Sequence, residues 1–222
     1  TKWGAEFING KHRDAKKPWY LWVCYGAVHG PFTPAKRHLE AFPNIKVPAP
    51  KDIFPPRTGK PAYVRNLNRW SKGENGVPIL KRFAARTVNV SGIHGNTLTD
   101  WVRQYHQGVL AIDEGVGKLI AALKASGQYE NTLVVFTSDQ GFAWGQHGFR
   151  HKLAPYDSNI RSPLIVSQPG TLPQGKVCPT PVGGTDIAPT FFSFAGLELP
   201  WEMHGHDLTP LLKNPGAKWP HP

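Results

Sequence analysis

Thr132-Leu133-Val134-Val135-Phe136-Thr137, running into Ser138-Asp139-Gln140-Gly141-Phe142-Ala143-Trp144-Gly145-Gln146-His147-Gly148-Phe149-Arg150-His151-Lys152, is the stretch on which the fold of this chain turns. The first six residues make a short apolar run of the length of a buried strand. A polar loop comes next, punctuated by Gly141, Gly145 and Gly148, a density that suits irregular backbone beside a ligand better than a solvated helix face. Asp139 and Gln140 stand directly after the strand and offer a carboxylate and an amide oxygen, hard donors that suit Ca²⁺ or Mg²⁺. An isolated Asp-Gln-Gly would serve equally as a turn cap. The crowding of His147, Arg150, His151 and Lys152 into the same loop is what argues for chemistry.

Outward from this stretch the pattern repeats. Residues 19–25 form a second apolar run of strand length, flanked by Lys16-Lys17-Pro18 and Gly26, and deliver Ala27-Val28-His29-Gly30-Pro31-Phe32 to a strand end. Apolar residues at helical spacing from Val102 to Leu123 predict a long helix over about 98–126, with Thr99 as its N-cap and Gly127 as its stop. Residues 163–166 read as a third strand. Residues 186–195 read as a last helix capped by Thr185, with Pro189 in its first turn and Gly196 closing it. This order is the grammar of an α/β domain with a mostly parallel sheet flanked by helices. Ligands then bind beyond the carboxyl ends of the strands, where the loops after Tyr25 and Thr137 would both open. Residues 42–95, rich in Pro, Lys and Arg, are too long for an ordinary connection and read as an elaborated surface loop or insertion, a lid or a substrate wall.

Composition sets bounds on function. With 222 residues, eight Trp and eleven Phe, the chain can bury a sizeable core. Lys and Arg number 26 against 15 Asp and Glu, for a formal charge of +11, which favours anionic partners. These cations are spread along the chain and accompany no nucleic-acid-binding signature, so an anionic small molecule or glycan fits better than nucleic acid. No apolar run approaches the roughly 20 residues that span a bilayer, and residue 1 onward shows no charged, apolar and small-residue pattern, which leaves open a signal removed upstream. Cys24 and Cys178 define neither a disulfide framework nor a metal motif. Asn89-Val90-Ser91 fits a glycosylation sequon. The absence of an initiator Met and the closing Lys-Trp-Pro-His-Pro suggest a fragment or a cleaved chain.

Residues 137–152, continuing through Tyr156-Asp157-Ser158-Asn159-Ile160-Arg161-Ser162-Pro163, resemble the second metal-ligand motif of the sulfatases within the alkaline phosphatase superfamily. Val28-His29-Gly30-Pro31-Phe32 is similar to the family's His-x-Pro-Phe segment, and the helix bearing Asp113 and the stretch Thr185-Asp186-Ile187-Ala188-Pro189-Thr190 match in order. The resemblance implies the carboxy-terminal half of a sulfatase catalytic domain. It implies Asp139 and Gln140 as ligands of one cation, Ca²⁺ before Mg²⁺. It also implies Lys152 and His29 as catalytic residues, Lys152 at the sulfate and bridging oxygen and His29 at the sulfate or the leaving alcohol, while His147 is read equally as a substrate neighbour or as a structural hydrogen-bonding residue. Asp157, Arg161 and Asp186 would tie loops to the sheet. An amide at Gln140, where two-zinc phosphatases generally place His, argues against phosphate chemistry.

The family's nucleophile is a formylglycine made from Cys or Ser within Cys/Ser-x-Pro-x-Arg. Neither cysteine nor any serine here fits that segment, and the family's early Asp-Asp pair is also missing. The resemblance places both in an amino-terminal part ahead of residue 19, and places a smaller subdomain after Leu212. The expectation is therefore a sulfate monoesterase acting on a sulfated sugar or aryl sulfate, inactive as this chain alone and completed by its missing amino-terminal portion. Periplasmic or secreted localisation is usual for the family. The competing readings are a phosphonate or phosphate monoesterase of the same superfamily and a non-catalytic polyanion-binding module.

Overall fold

The structure is a computed structural model that describes residues 1–30, 32–81, 95–152 and 154–221. The sequon at Asn89 and the later part of the 42–95 segment lie outside the described residues. The chain divides into two compact units. The first comprises Thr1–Ala122 and Gln140–Arg161, the second Leu123–Asp139 and Ser162–Pro222.

In the first unit, helix α1 (Lys2–Ile8) is followed by an extended segment, residues 19–25, that was expected as a strand. It alternates as a strand should: Trp19, Leu21, Val23 and Tyr25 are half-buried, whereas Tyr20, Trp22 and Cys24 are exposed. Its inner face packs on Gly4 of α1 beside Leu119. It joins no ladder among the described residues.

Helix α2 (Ala62–Arg65) and an antiparallel hairpin of β1 (Trp70–Lys72) with β2 (Pro78–Leu80) then bring part of the Pro-rich region inward. Ile53, Val64, Trp70 and Leu80 are each at most 3% exposed, so this segment carries buried anchors among its mostly exposed residues. With Phe32, Leu98 and Trp101, three of these four form the unit's core. Each such burial contributes about 1.5–3 kcal/mol. Physically, a few large apolar anchors outweigh a polar majority in deciding where a segment goes.

Helix α3 (Leu98–Ala125) forms as predicted, but its cap differs. Thr97 Oγ1 accepts the Asp100 N–H at 3.1 Å while the Asp100 carboxylate accepts the Thr97 N–H at 3.1 Å, a reciprocal capping box that displaces Thr99 from that role. Gly127, at φ 68°, ends the helix as expected.

In the second unit, β3 (Val134–Thr137) pairs with β6 (Leu164–Ser167), in the register Val135 to Val166. The pairing is antiparallel, as is every ladder among the described residues, which corrects the expected mostly parallel sheet. The reason lies in the connection: a parallel return usually needs a crossover helix, and among the described residues between these strands the only α-helix is the single turn α4 (Asp157–Ile160). Helices α5 (Ile187–Ala195) and α6 (Thr209–Lys213) complete the unit. The anchor of α5 is Asp186 in place of the expected Thr185. Its carboxylate accepts the N–H groups of Gly183 at 2.7 Å and His206 at 2.8 Å.

Candidate active site

The loop predicted to carry chemistry folds as a short hairpin of β4 (Ala143–Trp144) and β5 (Arg150–His151) in the first unit. Its connection is held by the Trp144 N–H donating to Gln146 Oε1 at 2.6 Å and the Gly145 N–H donating to Phe149 O at 2.9 Å. Gly145 and Gly148 have φ of 98° and 74°, backbone that side chains rarely adopt. They also leave room for neighbours: a Cβ at Gly145 would sit 2.5 Å from Ile53 Cδ1, and one at Gly148 would collide with the Arg57 guanidinium. The glycines therefore let the 52–57 segment lie directly against the hairpin.

Aromatic packing ties this hairpin to the turn that bears His29. The turn is closed by the His29 N–H on Gly26 O and the Phe32 N–H on His29 O. Phe32, 5% exposed, then meets Phe142 edge-to-face at 5.8 Å and Trp144 at 5.5 Å. Phe142 stands two residues after Gln140, and its ring also contacts His151 at 5.4 Å, immediately before Lys152. The Phe142 ring thus contacts both Phe32, which closes the His29 turn, and His151, the neighbour of Lys152. A Cβ at Gly141 would lie 2.5 Å from Ser158 O and 2.6 Å from Arg161 O. Gly141→Ala is expected to destabilise the protein by about 1–3 kcal/mol, read as a lower denaturation midpoint at unchanged slope.

His147 is held most firmly. Its backbone is left-handed at φ 53°, and its N–H donates to Asp52 Oδ1 at 3.1 Å while Nδ1 meets Asp52 Oδ2 at 2.5 Å. Its ring lies 4.0 Å from the Tyr156 ring, over which Lys60 Nζ sits at 4.8 Å. Partial burial pushes the Asp52 carboxyl up, but the hydrogen bonds it accepts from His147 outweigh this and hold it below the ordinary aspartate value. Because the folded value is depressed, the resulting stability is present at neutral pH and lost as pH falls below about 4. Unfolding measured against pH should show this acid loss in the wild type and less of it in Asp52→Asn.

Beneath Asp52, Arg57 is 4% exposed and donates to the carbonyls of Asp52, Ile53, Val64 and Leu67 at 2.5 to 2.9 Å. Neither Asp52 nor Arg57 stood out in the sequence, where both are lone charges in a Pro-rich run, and no local signal could have singled them out.

Four of the residues expected at the site, His29, Gln140, His147 and Lys152, belong to the first unit, while Asp139 is assigned to the second and joins Gln140 by a peptide bond. His29 is exposed, with Nδ1 3.0 Å from Gly30 O, and Lys152 is half-buried. The Asp139 carboxylate accepts the Ser138 hydroxyl at 3.3 Å. Asp139 and Gln140 fit a hard cation in donor type but not in number, since such an ion takes six or more oxygens. No group of three or more His, Cys, Asp or Glu that could hold a metal forms among the described residues. Asp186 ties a loop as expected. Asp157 and Arg161 instead face solvent and pair weakly with each other at 3.8 Å.

The sulfatase family model matches residues 2–197. The chain is 31% identical over 252 residues to an N-acetylglucosamine-6-O-sulfatase of Bacteroides thetaiotaomicron, covering 94% of this chain and 45% of that protein. It is 29% identical over 206 residues to the extracellular sulfatase SULF-1 homolog of Drosophila melanogaster, covering 92% of this chain and 17% of the relative. Among solved structures, BT4656 in complex with its substrate D-glucosamine-2-N,6-O-disulfate superposes with a TM-score of 0.71 at 28% identity, over 96% of this chain and 51% of that one. The chain thus spans about half or less of the length of these proteins. No helix among the described residues is long and apolar enough to cross a membrane. A family model that matches residues 2–197, most of the chain, establishes that this chain belongs to the sulfatase family.

Proposed function

We propose that this chain supplies the cationic and proton-donating side of a sulfuric ester hydrolase whose substrate is the sulfate monoester of an amino sugar. The observation that carries the proposal is the edge-to-face contact of Phe32 with Phe142 at 5.8 Å, which brackets the His29 turn and the Gln140–Lys152 loop together. In this reading Lys152 faces the bridging oxygen, where charge develops as the S–O bond breaks, and His29 protonates the departing alcohol. His147 contacts the sugar. Asp139 and Gln140 would hold a single Ca²⁺, with Mg²⁺ second, and such an ion when bound neutralises charge on a nonbridging oxygen.

The remaining cation ligands and the formylglycine belong, in this proposal, to the length by which the relatives exceed this chain, so the chain by itself turns over no substrate. The amino-sugar choice is supported by the glucosamine disulfate bound by BT4656 and by the Bacteroides relative's name. The net charge of +11 has the sign that draws such anions in. Export to the periplasm or cell exterior is supported by the extracellular relative.

The test is the full gene product supplied with N-acetylglucosamine 6-sulfate, an aryl sulfate and an aryl phosphate. Faster release of sulfate than of phosphate, with the sugar ester preferred, is the expected result. Preference for phosphate would move the protein to phosphate or phosphonate ester hydrolysis. Tight capture of sulfated glycan without turnover would make it a binding module.

A further inference from the structure

We propose that Asp52 is a positioning residue that locks the His147 ring in one tautomer and one orientation, so that Nε2 serves as a hydrogen-bond acceptor for a hydroxyl of the sugar. The inference rests on the reading of His147 as a substrate neighbour, and deepens it.

Four observations carry it. The carboxylate grips His147 twice, at the main-chain N–H and at Nδ1, so it fixes both the left-handed backbone and the ring. Holding the proton on Nδ1 leaves the lone pair on Nε2. Rotation of the ring is further restricted by the Tyr156 ring 4.0 Å away, itself lying under Lys60 Nζ. Asp52 is also anchored from beneath, because buried Arg57 donates to the carbonyls of Asp52 and Ile53 and passes under Gly148. Arg57 thus fixes the main chain from which the Asp52 carboxylate projects. The dyad, finally, joins segments 95 residues apart in sequence, which places a polar contact of the Pro-rich region beside the hairpin that carries Lys152. Residues 50–57 thereby acquire a role in substrate choice that their composition conceals.

The experiment compares wild type, Asp52→Ala and Asp52→Asn of the full gene product on N-acetylglucosamine 6-sulfate and on an aryl sulfate, which lacks the sugar hydroxyls. Asp52→Ala should raise KM for the sugar ester by about tenfold more than for the aryl ester, the size of one neutral hydrogen bond. Asp52→Asn, whose amide oxygen still accepts from Nδ1, should recover most of that loss. Imidazole nitrogen correlations for His147 should report the Nδ1–H tautomer in wild type and a mixture in Asp52→Ala. Equal losses on both esters, no recovery in Asp52→Asn, or an Nε2–H tautomer in wild type would each overturn the inference. Should the wild type cleave neither ester, the proposed function fails separately. The inference is then decided by calorimetric binding of the sugar ester, where the same tenfold ratio between wild type and Asp52→Ala is required.

Discussion

Lys152→Ala in the full gene product is expected to lower kcat/KM for sulfate ester hydrolysis by about 10²–10³-fold, with most of the loss in kcat. The size follows from what the ammonium does in the proposed reaction. Charge on the bridging oxygen is small in the substrate and large in the transition state, so the cation lowers the barrier more than it aids binding. The residue before it is held from two sides: the His151 ring packs on Phe142, and the His151 carbonyl accepts the Asn159 amide N–H at 2.6 Å. Lys152→Arg is expected to restore little, since a planar fork on a longer stem cannot occupy the same point. Steady-state kinetics with a matching thermal melt would separate loss of chemistry from loss of fold. An unchanged kcat would remove Lys152 from the reaction.

Arg57→Ala should be the most destabilising charge deletion in the first unit, by roughly 3–5 kcal/mol. The guanidinium is buried and spans the carbonyls of Asp52, Ile53, Val64 and Leu67, which would be left short of donors in a polar cavity. Burial pulls its pKa down, and the Asp52 charge partly offsets this. Arg57→Lys keeps the charge but cannot reach four acceptors at once, so it should recover only part of the loss. Gly148→Ala should give a comparable defect from the opposite side, because its Cβ would fall on the guanidinium. Denaturant titration at constant slope measures all three, and a loss under about 1 kcal/mol for Arg57→Ala would show that water replaces the guanidinium cheaply.

What the sequence disclosed, and what it withheld, divides along physical lines. The Leu98–Ala125 helix and the strands at Val134 and Leu164 were legible because their periodicity or apolar content is local. Strand direction was not, since an apolar run states that a segment is buried without naming its neighbour. The same blindness explains residues 19–25, which alternate correctly yet find no ladder partner among the described residues. In the Pro-rich region, polar composition hid Ile53, Val64 and Trp70, which are buried. Helix capping turned on two residues: Thr97 with Asp100 makes a reciprocal box that Thr99 cannot. Among the candidates, Gln140 and Lys152 stand out because they share one glycine-punctuated stretch, and His29 because it follows an apolar run. The Asp52–His147 contact was invisible because nothing local links them.

The most direct test of the claim that the His29 turn and the Lys152 hairpin act on one sulfate group is a double-mutant cycle with His29→Ala and Lys152→Ala in the full gene product. The account predicts a large loss of kcat/KM in each single variant and a double variant much less impaired than their product, since both groups stabilise the same departing oxygen. Losses that simply multiply, or single variants with wild-type turnover, would show that the two side chains do not share a reaction centre.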